Sequence, residues 1–460
     1  MPTSPPPSSS RPLLLRHRDF RRLWTASTTG RTGASVASVA LPLTALTLLG
    51  ASPFQVSLLT AAAWLPWLLI GLVAGAWVDR LPRRPLMLIC DAVSFAAIAA
   101  TPVAYWLDLL TYTQLLVTAL LTGTATVFFQ TSYQVLLPRL VDGEDRAAAN
   151  STLHASEEAG QLAGYSGGGL LISLLGPAGA LCAQAAAFAV SFASVLGLRH
   201  RERSVERPEA GGTNLLQEIR EGLAFTFRDG YIRAFVLCGA AANLALMAYQ
   251  SILVAFLVRE AHLTAGTIGL LMGAGGLGGI AGAFAARRLG SRLGTARAVY
   301  VLTLGTPCLA LLIPLAAATP LGITLFAVGY TAVSFSVVAE NTLTATFQQN
   351  HVPAALYGRS RTASAFVNYG TIPLGALLGG VLAETLGLRP AMWLTVALLP
   401  LCGLILLTSP MRRDRDLPTG GSDRSGPGQA VAEEATAGEE TAEERASASS
   451  RSSVSSSAGM

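Results

Sequence analysis

The residues of this chain that could do chemistry are few, and most lie inside long apolar runs. Glu157 and Glu158 stand side by side about ten residues into one such run, roughly 15 Å along a helix from its start. A carboxylate at that depth is costly unless it faces a cavity or a partner, and it suits the uptake and release of a proton. Successive residues differ by about 100° around a helix, so the two glutamates cannot share a face. Glu157 falls close to the line of Gly160, Gly164 and Gly168 and is expected to approach the seam between the two halves of the chain. Glu158 joins His154, Gln161 and Tyr165, spaced by four, three and four, in a stripe that is polar throughout and is expected to face a cavity. In the first apolar run Thr28, Arg31, Ser35 and Ser38 recur at steps of three and four, and Arg31 is the candidate switchable partner of Glu158. Two readings of Glu158 stay open: a proton or cationic-substrate site, and a fixed hydrogen-bonded carboxylate.

Other polar groups inside apolar runs are Gln130, Asn243, Gln250, Glu340, Asn341, Asn368 and Tyr369, with Ser364 and Thr371 on the face of Asn368. Taken singly, each reads as a hydrogen bond between helices. Converging on one cavity, they read as a substrate path.

Chemistry of other kinds lacks its context. Gly164-Tyr165-Ser166-Gly167-Gly168 matches a nucleophile elbow, but no strand precedes it. Gly273-Ala-Gly275-Gly276-Leu277-Gly278 matches a dinucleotide fingerprint inside an apolar run, where close helix packing is the better reading. The chain has no lysine, so a phosphate-binding Walker loop is impossible. Its five cysteines fall in apolar segments without metal-ligand spacing. No enzyme, metal or organic cofactor is expected.

The elements that must position these residues follow from composition. Hydrophobic residues make up 51% of the chain and charged residues 13%, against about 25% in soluble domains. Twelve segments are long and apolar enough to cross a bilayer: 21–49, 54–78, 85–107, 113–137, 148–175, 177–198, 232–258, 264–287, 298–318, 320–347, 360–386 and 390–409. The fold expected is therefore all-α. The net charge of +5 is carried by arginines scattered through short loops, which argues against nucleic acid. Those arginines crowd the even loops, which places even loops and both termini in the cytoplasm. The basic N-terminus, 1–20, lacks the apolar core and cleavage site of a signal peptide, and is expected to be disordered. The linker 199–231 and the Ser/Ala/Glu-rich tail 410–460 are expected to carry little structure, the linker partly helical near 215–227.

One stretch between two apolar runs is more specific. Gly71 to Arg84 reads GLVAGAWVDRLPRR, with Gly71 and Gly75 in small-xxx-small spacing before Asp79, Arg80, Arg83 and Arg84. It resembles the loop between helices 2 and 3 of the major facilitator superfamily, with Pro82 where that superfamily usually has Gly. A weaker copy recurs at Gly282-Ala-Phe-Ala-Ala286-Arg287, as expected of a pseudo-symmetric repeat. Arg18-Asp19-Phe20-Arg21-Arg22-Leu23-Trp24, Ala40-Leu41-Pro42, Val352-Pro353 and Gly358-Arg359 are similar to the enterobactin-exporter and macrolide-efflux group within it.

The resemblance implies two six-helix bundles, 21–198 and 232–409, in the plasma membrane. It implies gating by Asp79 against the start of helix 11. It also implies that Gly160, Gly164 and Gly168, with Tyr165 in place of a motif proline, and their counterparts Gly375 and Gly379 form the seam between the halves. The activity implied is export of a small organic molecule, drug-like, macrolide or siderophore-type, by a monomer in the lipid bilayer, driven by the proton gradient. Uptake of a metabolite and a non-transporting sensor are the alternatives.

Overall fold

The computed structural model describes residues 13–141, 145–198, 224–352 and 354–418, and these hold helices and no strand. Helices α1 (Arg18–Leu48), α2 (Pro53–Arg80), α3 (Arg83–Trp106) and α4 (Tyr112–Leu140) come first. A helical stretch over Arg146–Leu196 follows. At 51 residues it is about 75 Å long, more than twice the hydrocarbon thickness of a bilayer. Gly176 breaks it at φ 73°, a conformation glycine adopts without steric cost, and Pro177 starts the next helix. The two parts are α5 (146–175) and α6 (177–196). The second half holds α7 (Gly230–Arg259), α8 (Ala265–Leu293) and α9 (Thr295–Tyr300). α9 continues through a π turn, Val301–Gly305, and a tighter helix, Thr306–Leu315. Then come α10 (Pro320–His351), α11 (Ala354–Leu386) and α12 (Leu388–Cys402).

Most starts are written in side chains. Ser52 and Gln55 form a capping box ahead of Pro53. Thr111, Thr264 and Thr319 cap α4, α8 and α10. Asp229 accepts from the Tyr231 and Ile232 amides at 2.9 and 2.8 Å, and its second oxygen meets Nε2 of His351 at 3.0 Å. Burial raises the Asp229 carboxyl, but those hydrogen bonds and His351 outweigh it and hold the group below the usual carboxylate range.

The expected boundaries move at both ends of the chain. Helix begins before residue 21, and Phe20 is fully buried, because its ring packs with Leu23, Leu136 and Leu153. The segment after α12 is docked rather than loose as far as Pro418. Met411 and Leu417 are buried, and the Arg415 carbonyl accepts from the Ala296 amide at 3.1 Å. The linker 199–231 lies mostly outside the described residues.

Within the first half α1 packs on α5 and α6, α2 on α4, and α3 on α4 and α6. The second half repeats this, with α7 on α11 and α12, α8 on α10, and the α9 segment on α10 and α12. Two major contacts join the halves, α5 with α8 and α2 with α11, and they are each other's counterparts under the repeat.

Candidate transport path

The two joining contacts are made of small residues. A Cβ added at Gly169 of α5 would lie 2.5 Å from Cα of Gly269 and 2.7 Å from the Ala265 carbonyl oxygen. Ser173 meets Gly266, Ser166 meets Gly273 and Leu162 meets Gly276 along the same line. On the other side Gly380 of α11 sits against Ser57 and Phe54 of α2, and Ser57 Oγ lies 3.2 Å from Ser251 Oγ of α7. Arg259 reaches the Ala51 carbonyl at 2.7 Å, and the Phe54 amide approaches Glu384 at 3.5 Å. All these contacts lie between mid-helix and the end carrying loops 1, 7 and 11.

The seam therefore uses other glycines than those expected. Gly160, Gly164 and Gly168 face Thr28, Thr32, Ser35 and Val36 of α1, inside their own half. Gly375 and Gly379 face the Leu244 and Ala248 carbonyls of α7, again within one half. The reason is rotational. Gly164 and Gly169 are about 500° apart, or 140° around the helix, so one face can meet α1 while the other meets α8. The expectation that Gly273 and Gly276 serve close packing holds, and that packing is the seam itself.

Glu157 likewise turns into its own half. Its Oε1 accepts from Ser27 Oγ of α1 at 2.7 Å, and Tyr133 of α4 also engages Ser27. Its depth is smaller than expected, since the apolar stretch of α5 begins at Ser151 and Glu157 lies roughly 9 Å beyond that. The side chains of Glu158, His154, Asp79 and Arg80, and the surroundings of Gly75, lie outside what the structure describes. Gly71 abuts Trp67 of its own helix.

The α1 stripe divides into two lines about 60° apart. Ser35 is buried against α5, whereas Arg31 and Ser38 are exposed. Arg84 turns to the Val195 and Leu196 carbonyls at the end of α6, at 3.4 and 2.7 Å. Asp91 accepts from Ser191 at 2.8 Å. Arg83 is buried at the start of α3.

Several candidates are found in pairs. Gln161 Nε2 donates to the Tyr165 hydroxyl at 3.2 Å, and the Tyr165 carbonyl abuts Gly269 of the other half. Asn243 Nδ2 of α7 donates to Asn368 Oδ1 of α11 at 3.2 Å. The next residue, Tyr369, is exposed and bridges the halves. Its ring centroid is 6.4 Å from Trp64 and 5.5 Å from Trp67, both on α2. Gln130 and Gln250 are half-buried and Asn341 is exposed. Glu340 stands apart from this cluster, its nearest hydroxyl being Thr344 of its own helix at 3.4 Å. Sequence reasoning missed Ser27, Tyr133, Trp64 and Trp67. The Trp64-Leu65-Pro66-Trp67 run carried a usable signal, two indoles three residues apart on one helix face.

Comparison with known proteins bears on what this arrangement serves. Residues 8–437 match the transmembrane secretion effector family of the major facilitator superfamily. The chain belongs to that family. It is 29% identical over 402 residues to the multidrug efflux pump Tap of Mycolicibacterium fortuitum, covering 85% of this chain and 96% of the relative. It is 28% identical over 394 residues to Tap of Mycobacterium tuberculosis, covering 84% and 92%. Among solved structures it superposes on the nucleoside transporter NupG with a TM-score of 0.67 at 13% identity, covering 86% of this chain and 99% of that one. A bacterial homologue of the iron transporter ferroportin gives a TM-score of 0.67 in its inward-facing state, at 17% identity and 86% and 99% coverage. The outward-facing state of the ferroportin homologue gives 0.56, at 16% identity and 85% and 98% coverage. This is a multi-pass membrane protein of a transporter family.

Proposed function

We propose that the protein is an efflux transporter that moves small, drug-like organic molecules out of the cell by alternating access. The observation that carries this is the make-up of the joining contacts among the described residues, which lie between mid-helix and the end carrying loops 1, 7 and 11. They consist of apposed glycines, serines and alanines with few hydrogen bonds. In lipid such contacts rest mostly on van der Waals packing, so they can part and re-form with few polar groups to satisfy again. With the arginine-rich even loops in the cytoplasm, the closed end faces outward and the cleft opens inward. The higher TM-score with the inward-facing neighbour supports that reading, and the two mycobacterial pumps support export of several compounds.

Trp64, Trp67 and Tyr369 give the cleft an aromatic wall spanning both halves, next to the amides of Asn243 and Asn368. That wall suits a flat apolar body carrying a polar group. The energy is drawn from inward proton flow, with Glu157 and Glu158 on α5 as the acids that carry it. Asp79 gates the arginine end against the start of α11.

The test is accumulation of a panel of dyes and macrolides in cells with and without the protein, repeated after collapse of the proton gradient. Lower accumulation that reverts on collapse is expected. Accumulation raised by the protein would mean uptake, and no effect of collapse would remove the proton.

A further inference from the structure

The segment that follows α12 does more than end the bundle. Residues 410–418 run back across the loop between α8 and α9. Tyr231 donates its hydroxyl proton to Asp414 at 2.7 Å, and the Thr295 amide bonds Asp416 at 2.9 Å. The Leu417 amide bonds Thr295 Oγ1 at 2.7 Å. Gly294 makes the crossing possible. It sits at φ 91°, and any Cβ there would collide with the Arg415 carbonyl.

Between this strap and the ends of α8 and α10 lies a cavity of about 600 Å³. Leu343, Phe347, Leu417 and Pro418 give it apolar walls, and Arg287 and Arg415 stand over it. Arg288, Arg292, Arg297 and Arg412 are exposed close by in sequence, around the same α8–α9 junction and strap. Two carboxylates are nearby: Asp416, which also lines the cavity, accepts from the Thr295 amide and Asp414 accepts from Tyr231, so the arginines outnumber the acids six to two. An apolar cavity under a crown of arginines calls for an occupant that is apolar at one point and acidic beside it.

We infer that this cavity receives the chain's own C-terminal segment, with Val431 as the apolar plug and Glu433, Glu434, Glu439 and Glu440 against the arginines. Three observations favour it over a lipid headgroup. The segment leaves from the cavity wall, since Pro418 is both its root and a lining residue. Its composition complements the face: beyond Pro418 come six glutamates and one aspartate against three arginines, and Ala430-Val431-Ala432 directly precedes the first glutamate pair. The span is short, because about fifteen residues of Gly/Ser-rich composition have a root-mean-square reach of roughly 20 Å. A tether of that length supplies an effective concentration near the millimolar range, so weak docking suffices. Docking bridges the ends of α8, α9 and α10 at the arginine end, away from the seam.

The experiment uses the full chain in phosphatidylcholine nanodiscs, with the exposed Cys308 replaced by Ala. A reporter cysteine is placed in the cavity, Ser291→Cys, with Thr346→Cys as a second, independent reporter. Labelling by a maleimide-polyethylene glycol is timed with the native tail and with all six tail glutamates changed to Gln. At about 0.05 M salt the native tail should slow labelling several-fold, and about 0.5 M salt or the Gln tail should abolish the slowing. A disulfide between Ser291→Cys and Ala435→Cys should form faster than one between Ser291→Cys and Ser457→Cys. Equal labelling rates for the two tails at low salt would overturn the inference. So would protection that appears only on adding phosphatidylglycerol and ignores the tail charges, which would make the occupant a lipid.

Discussion

Replacing Gly269 by Ala tests the seam most directly. The new Cβ would lie 2.5 Å from Cα of Gly169, 2.8 Å from its nitrogen and 3.0 Å from the Tyr165 carbonyl oxygen. All three are backbone atoms, so no rotamer change relieves the contact. Carbon atoms pack at about 3.5–4 Å, and α5 and α8 must therefore separate by about 1 Å. Overpacking of this kind costs about 1–3 kcal/mol. The contact exists only while this end is closed, so the whole cost falls on that state. A bias of that size shifts the equilibrium about 5- to 150-fold toward the state open at this end. Ser57 is a suitable reporter, being fully buried at the other seam between α2 and α11. In a Ser57→Cys background, Gly269→Ala should raise labelling by an impermeant maleimide from outside by a comparable factor. Gly164→Ala is the control. Its Cβ would meet the Thr32 carbonyl oxygen at 2.6 Å inside one half, in both states alike. It should lower thermal stability and leave the labelling rate unchanged. Equal labelling in Gly269→Ala and the parent, or an equal rise in Gly164→Ala, refutes the reasoning.

Glu157→Gln keeps an acceptor for Ser27 but loses the charge, so expression should persist while transport loses its dependence on external pH; an unchanged pH profile would leave Glu157 a structural residue. Trp67→Ala removes the nearer of the two indoles from Tyr369, and efflux of planar aromatic dyes should fall several-fold more than efflux of macrolides, read as the ratio of their accumulation. Asp229 is held below its ordinary value, so its contribution to stability is complete above the normal carboxylate range and is lost as pH falls into and below it. Asp229→Asn retains the cap but not the charge: it should lower the midpoint of thermal unfolding at neutral pH and flatten its decline on acidification, and an acid limb as steep as the parent's would count against the assignment.

Much of the fold was legible because a bilayer leaves few choices. Length and hydropathy pointed to an all-α membrane fold, ten stretches of the described residues are long and apolar enough to cross a bilayer, and the break at Gly176-Pro177 fell where an expected pair of helices met. The halves were legible from the repeat, since Gly164 with Gly168 and Gly375 with Gly379 do occupy equivalent places. What the repeat could not tell was which neighbour those glycines face. A small-residue spacing reports that some helix comes close, not which one, and intra-half and inter-half contacts use the same residue types. Glu157 was misplaced for a related reason. Its position on the helix was read correctly, but its partners Ser27 and Tyr133 come from helices remote in sequence. The strap at 410–418 was hidden because its docking rests on backbone groups, on the carboxylates of Asp414 and Asp416, and on only two buried apolar residues, Met411 and Leu417, in an otherwise polar run.

The division of labour among these contacts bears on how coupling could work. The polar partners described for α5 and α11, Ser27 with Glu157 and Asn243 with Asn368, lie within single halves. The contacts between halves are mostly glycine, serine and alanine. Rocking one half against the other carries those two pairs along intact and breaks only a few polar contacts among the described residues, Ser57 with Ser251, Arg259 with the Ala51 carbonyl and the Phe54 amide with Glu384. Glu157 keeps its bond to Ser27 on the way, so the motion does not strand that carboxylate. A proton that drives the cycle must then act through what the moving cleft changes, which is the water and the substrate that reach Glu157 and its neighbours. This ties gating to hydration rather than to a salt bridge across the seam.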